Sequence, residues 1–238
     1  MDYRISLIGE CFRKAGLSLT AEQERQFLAF AEELLLWNQS MNLTGLKSME
    51  EVIVKHFLDS AMATIYVDFK GKKIADVGSG AGFPGLAIKL LEETTFLSLI
   101  EAAGKKAGFL SHVASKLNLT EVEVVRERAE TVGGKPERRG KYDVVVARAV
   151  SRLNTLSEYC LPLVAEGAFF VAWKGPNASA EIEEAANALK VLGGEVARVV
   201  EFTLPIFNEG RTLVFIKKVK STPPSFPRRV GVPGKRPL

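Results

Sequence analysis

Cysteine and histidine are scarce in this chain. Only Cys11 and Cys160 occur among 238 residues, far apart, and the only histidines are His56 and His112. No CxxC pair and no HExxH are present, which excludes zinc fingers, disulfide scaffolds and zincin-type centres, so no metal is expected. Such cysteine usage fits a reducing, cytoplasmic compartment. Long apolar runs are missing too. The longest stretch without a charged residue, 34–46, has thirteen residues. A membrane span needs roughly 20, so no membrane partner is expected. The N-terminal MDYRISLIGECFRKAG is charged throughout, unlike a signal peptide. Acid is absent from the last 22 residues, where 217–238 hold seven Lys or Arg. The rest of the chain holds 25 basic and 28 acidic residues, so the net charge of +4 originates in the tail. A second basic cluster, Lys135, Arg138, Arg139 and Lys141, has Glu137 as its only acid. Basic patches on a near-neutral body suggest an anionic partner, although a solvated solubility tail reads the same way.

What is present divides into three parts. Residues 1–70 read as a helical extension. Thr20 with Gln23, and Ser48 with Glu51, form capping boxes, and Phe27, Phe30, Ala31, Leu34 and Met41 recur at helical spacing. Residues 71–220 alternate strand and helix, which predicts a doubly wound, mostly parallel α/β sheet. EVARVVEFTL and RTLVFIKKV are separated only by PIFNEG, so they should close the sheet as an antiparallel hairpin. Residues 221–238 are basic and rich in proline, and are expected to stay extended outside the core.

The sharpest motif is Asp76-Val-Gly78-Ser-Gly80-Ala-Gly82-Phe83-Pro84-Gly85, between a strand and a helix, where α/β folds bind ligands. Gly78 permits a tight turn, and Gly80 and Gly82 are expected to admit a ligand close to the backbone. A dinucleotide GxGxxG needs glycine where Phe83 stands, and a P-loop needs GK[ST], which is absent. The remaining D-x-G-x-G-x-G is similar to the S-adenosyl-L-methionine loop of class I methyltransferases. Glu101, about twenty residues on, can accept both ribose hydroxyls of a nucleoside, or can be a strand-end acid facing water. Ala129 and Glu130 follow the third strand, at the adenine position of that class, or lie in a plain loop.

After the fourth strand there is no [DN]PP[YFW], as an amino-group methylase would show. Cys160 sits in an apolar run, where a packed thiol is expected rather than a nucleophile. Arg148 stands there instead, able to stack on a base or hold an anion. Asn42-Leu43-Thr44, His56-Phe57-Leu58-Asp59-Ser60, IADVGSGAGFPG, KKAGFL, Ala147-Arg148-Ala149 and Trp173-Lys174-Gly175 follow in order. Together they resemble the RsmG family, also called glucose-inhibited division protein B, over nearly the whole chain.

That resemblance implies a Rossmann-like class I fold and methyl transfer from S-adenosyl-L-methionine to N7 of one guanosine in a conserved 16S rRNA hairpin. The partner is then 16S rRNA or a small ribosomal subunit particle. It places Gly78, Phe83, Glu101, Ala102, Ala129, Glu130 and Arg148 at cofactor-contacting positions, with Glu101 where many members carry Asp. It makes Asn42, His56, Asp59, Lys174 and Arg211 candidates for gripping RNA, and the tail adds Arg228 and Arg229. Each has a plainer reading: Asn42 as a turn cap, Asp59 as an i,i+4 partner of Lys55, His56 as a core-edge histidine. A small-molecule methyltransferase with a helical lid, or a non-catalytic RNA-binding protein with a relict loop, are the alternatives. Guanine N7 carries a lone pair and no proton at neutral pH, so no general base is expected.

Overall fold

The structure is a computed structural model that describes residues 3–238. It opens with α1 (Tyr3–Lys14) and α2 (Ala21–Met41). A third helical stretch begins as α3 (Met49–Val52), widens into a π turn over Ile53–Leu58, tightens as α4 (Asp59–Ala61) and ends in a 3₁₀ turn, Met62–Ile65. Both capping boxes form: Thr20 and Gln23 exchange bonds at 3.2 and 2.9 Å, and Ser48 and Glu51 repeat the pattern. No described helix is long and apolar enough to cross a membrane.

The alternating region then builds β1 (Lys73–Val77), α5 (Gly85–Leu91), β2 (Phe96–Ile100), α6 (Gly104–Lys116), β3 (Val122–Val125), α7 (Ala129–Gly134), β4 (Tyr142–Arg148) and α8 (Leu153–Cys160). It continues with β5 (Val164–Lys174), α9 (Ser179–Glu184), α10 (Ala186–Leu192), β6 (Gly194–Leu204) and β7 (Glu209–Lys218). The sheet order is β3-β2-β1-β4-β5-β7-β6. Strands β1 to β5 run parallel, and β7 lies antiparallel to both β5 and β6, as the short PIFNEG link requires. Chain order reverses between β1 and β4, which makes the crevice at their C-terminal ends the topological switch point.

Each face of the sheet carries one apolar cluster. One joins Phe27, Phe30 and Phe57 of the N-terminal helices to Ile74, Phe83, Leu86 and Phe109 of the sheet layer. The boundary expected at residue 70 therefore divides the sequence but not the core. The other cluster lies under α7, α8 and α10.

The tail departs from its extended reading. It folds back, forms α11 (Val232–Lys235) and buries Pro233 and Thr222. Arg139 clamps it by donating to the carbonyls of Phe226 at 2.6 Å, Thr222 at 2.7 Å and Pro223 at 3.0 Å. Three of the four residues of the second basic cluster are structural, and Lys141 is exposed. Arg138 is bidentate on Glu123, and Lys135 pairs with Glu127 at 2.5 Å. The i,i+4 pairing of Lys55 with Asp59 does not form either, because Lys55 reaches Glu209 at 2.8 Å and Asp59 is buried.

Candidate active site

The glycine loop leaves β1 after Val77, next to the buried Asp76. One Asp76 carboxylate oxygen accepts the Gly85 N–H at 2.8 Å, and the other is buried without a partner. A Cβ at Gly85 would stand 2.7 Å from that carboxylate, so α5 packs directly on the strand. Burial raises the Asp76 pKa to about 7; the Gly85 N–H and Arg148 oppose the shift, and Glu101 adds to it.

The three turn glycines serve different ends. All have left-handed φ, at +71°, +58° and +95° for Gly78, Gly80 and Gly82. A Cβ on Gly78 would meet Val150 at 2.6 Å, and one on Gly82 would meet Leu86 at 2.5 Å. At Gly80 the nearest atom is a carbonyl 3.8 Å away. Only Gly80 therefore faces open space; Gly82, expected to admit a ligand, serves packing instead. Glu101, at 9% exposure, accepts the N–H of Gly80 at 2.9 Å and of Ala103 at 2.8 Å. Its carboxylate thus lies against the one open glycine, with half-buried Ala102 beside it and Ala129 opening α7. An open glycine cradle facing a strand-end carboxylate suits a nucleoside with a vicinal diol, so the residues present fit S-adenosyl-L-methionine.

Two expected cofactor contacts look elsewhere. Glu130 is buried and accepts the Gly231 N–H at 2.9 Å, so it holds the tail. The Phe83 ring is 4% exposed and sandwiched between Phe30, at a centroid distance of 5.1 Å, and His56, at 4.4 Å. It anchors the loop to the N-terminal helices.

Beside this loop, at the ends of β4 and β5, opens a cleft of about 530 Å³ lined by Lys55, His56, Asp59, Arg148, Trp173, Lys174 and Arg211 among others. The π turn puts His56 and Asp59 here together, an irregularity frequent at functional sites. Arg148 is the hub. It donates to Asp59 Oδ2 at 2.8 Å, to the Lys55 carbonyl at 3.0 Å and to His56 Nδ1 at 2.8 Å. Because Nδ1 accepts, the ring proton is assigned to Nε2, which faces Thr44 Oγ1 at 2.8 Å. Burial, followed by the Arg148 charge, holds His56 well below the usual imidazole range, so the ring is neutral. Burial pushes Asp59 up, against the pull of Arg148 and Arg211. Lys174 donates to Glu181 at 2.6 Å and to the Ser151 carbonyl at 2.8 Å, and Arg211 pairs with Glu209 at 2.6 Å.

The cleft brings together His56, Asp59, Lys174 and Arg211, expected to grip RNA, and Arg148, expected at the cofactor. Asn42 is an exposed left-handed cap at the end of α2, as its plainer reading has it. Arg228 lies elsewhere, locked on the buried Glu158, and Arg229 is exposed on the tail. Several cleft groups went unnoticed. Asn38 pins the 44–46 loop through the Thr44 N–H and the Leu46 carbonyl, and Trp173 donates its indole N–H to the Asp59 carbonyl at 2.9 Å. The motifs NLT, which holds Thr44, and WKG, which holds Trp173, were visible, but their partners Asn38 and Asp59 were not.

Strand order and the site at its switch point define a class I methyltransferase fold. A methyltransferase from Aquifex aeolicus, described as SAM-dependent, matches at 21% identity over 71% of this chain and 93% of that one, with a TM-score of 0.53. TYW2 from M. jannaschii, solved in complex with AdoMet, matches at 9% identity over 69% and 76%, with a TM-score of 0.56. The chain belongs to the GidB family, rRNA small subunit methyltransferase G, whose family model matches residues 23–211. Proteins named ribosomal RNA small subunit methyltransferase G are 44% identical in Bacillus cytotoxicus, over 98% of this chain and 96% of that one, and 45% identical in Bacillus mycoides, over 94% of each.

Proposed function

We propose that this chain methylates N7 of a guanosine in 16S rRNA, within the cytoplasm, on the rRNA or a small-subunit particle. The observation that carries this reading is that no proton acceptor among the described residues of the cleft is both accessible and unpaired: Glu209 is held by Lys55 and Arg211. Both His56 nitrogens are occupied, by Arg148 and Thr44. Asp59 is bound to Arg148, and its other oxygen is buried. Cys160 is fully buried, and burial pushes its thiol well above the ordinary range. Such a site suits an acceptor that has no proton to lose. S-adenosyl-L-methionine, when bound, supplies a methyl cation equivalent: the N7 lone pair forms the new bond, the carbon–sulfur bond breaks, and the positive charge passes to the purine.

The chain's own residues then hold and align. Gly80 and Glu101 hold the nucleoside end of the cofactor, with Gly78, Asp76 and Gly82 fixing the loop, and Ala102 and Ala129 bordering the base. Phe83 and Arg148 join that loop to the cleft, where His56, Asp59, Lys174 and Arg211 shape the seat of the guanine. Alignment of this kind is enough to lower the barrier substantially. The test is mass mapping of methylated guanosine in 16S rRNA from cells with and without this chain. Loss of one N7-methylguanosine is expected on deletion; an unchanged rRNA methylation pattern overturns the reading.

A further inference from the structure

Every cation lining the cleft already has a carboxylate. Lys55 and Arg211 sit on Glu209, Arg148 on Asp59, and Lys174 on Glu181. A phosphate arriving there meets charges that are locally neutralised. A group of unmatched cations stands along the far end of the same crevice. Arg126 follows β3 and lies against the first turn of α6, where a Cβ on Gly104 would come within 2.4 Å of its guanidinium. Lys105 is in that same turn. Arg128 immediately precedes α7, and Tyr159 belongs to the neighbouring α8 with its phenol half-buried. Gly234 of α11 lies beside that same phenol oxygen, 3.5 Å from where its Cβ would be. Arg229, Lys235 and Arg236 flank the Gly231–Glu130 hydrogen bond that fastens α11 to α7. All six of these residues are exposed, and none forms an ion pair within 4.0 Å among the described residues. The neighbouring acids are spent: Glu127 on Lys135, Glu158 on Arg228, and Glu130 on the tail backbone.

We propose that this strip, from the start of α6 across the β3–α7 loop to α11, is a phosphate-binding rim for the RNA flanking the target guanosine. The proposal rests on the reading of the substrate as rRNA. The strand that precedes Arg126 is four strand spacings, ~19 Å, from the one that ends at Lys174. Only an extended polyanion touches both. The division of labour is physical: paired cations in the cleft can orient a base without competing for phosphate, while unpaired exposed cations gain from releasing counterions.

The test replaces Arg126, Arg128, Lys235 and Arg236 by Gln together, with a Lys235→Gln/Arg236→Gln pair confined to exposed positions and Lys190→Gln on α10 as an off-rim control. RNA binding to a 16S hairpin with flanking strands is followed from 50 to 200 mM salt, alongside methyl transfer and thermal unfolding. The fourfold variant should bind RNA more weakly, with a slope of log affinity against log salt shallower by roughly 2–3 units, at about 0.7 per lost contact. The pair should lose roughly half of that, and the control nothing. The apparent KM for RNA should rise, while calorimetric binding of S-adenosyl-L-methionine stays unchanged. A slope unchanged in both rim variants, with wild type methylating the RNA, overturns the rim. If wild type itself transfers no methyl to guanine N7, the functional reading fails first, and the rim loses its basis with it.

Discussion

Gly80 and Asp76 stand four residues apart and answer to opposite constraints. Gly80→Ala adds a methyl group to open space at a φ of +58°, a conformation that costs an L-residue roughly 1–2 kcal/mol. The fold should survive, and calorimetric affinity for S-adenosyl-L-methionine should fall at least about tenfold, since ~1.4 kcal/mol of lost contact suffices for that. Gly82→Ala collides with Leu86 and Leu110 instead, and should lower stability by roughly 1–3 kcal/mol. Equal cofactor affinity in wild type and Gly80→Ala would show that the open side of the loop is not the ligand's side. For Asp76 the informative variable is pH. Its folded pKa of about 7 lies above the ordinary ~3.9 of an unfolded chain. Between those values the folded form holds the extra proton, so this residue's contribution to stability declines as pH rises from about 4 and levels off above about 7. Asp76→Asn keeps an acceptor for the Gly85 N–H and removes the titration. Denaturant unfolding of both proteins at pH 5, 6, 7 and 8 should show the variant gaining on wild type by up to ~1.4 kcal/mol per pH unit, then flattening. A difference independent of pH counts against a protonated Asp76.

The tail shows what one element owes to residues far away in sequence. Glu158, 1% exposed on α8, receives the Arg228 Nε, Nη2 and backbone N–H. Removing one partner of a buried pair typically costs ~3–5 kcal/mol because a charge is left alone. Arg228→Met, and deletion of 221–238, should therefore lower the Tm, whereas Arg229→Gln should leave it unchanged. Unaltered melting of Arg228→Met would mean that the ion pair holds nothing. This packing was not legible in the sequence. The partners of the tail, Glu158 and Arg139, lie 70 and 83–87 residues away, and proline content alone suggested a segment extended outside the core. The same limit hid the Arg148–His56–Asp59 network, whose members are separated by 89–92 positions. By contrast, capping boxes, the glycine turn and the parallel strands are fixed by neighbours within one turn or one βα unit, and these were read directly.

At the scale of the molecule, the helical extension and the sheet form one body. Phe12, Phe27 and Phe57 hand contact to Phe83 at centroid distances of 5.2, 4.9 and 5.7 Å, and Phe30 stacks on Phe83 from α2. The cleft depends on that seam, because His56 comes from the helices and Arg148 from β4. The two tryptophans report on its two sides. Trp37 on α2 packs against Phe109 and His112, and Trp173 sits on β5 with its indole N–H on the Asp59 carbonyl. Trp173→Phe leaves Trp37 as the only indole, and Trp37→Phe leaves Trp173. With one shared core, each variant's fluorescence transition in denaturant should coincide with its own far-ultraviolet circular dichroism. Phe30→Ala, added to either background, should shift both probes together by roughly 3–5 kcal/mol, the cost of emptying a buried aromatic site. If the Trp37 signal is lost at lower denaturant than the circular dichroism, or if Phe30→Ala moves only that signal, the extension is a separate folding unit. The cleft would then be assembled by docking rather than by folding, and loss of the Trp37 signal should track loss of methyl transfer at denaturant concentrations where the sheet is still intact.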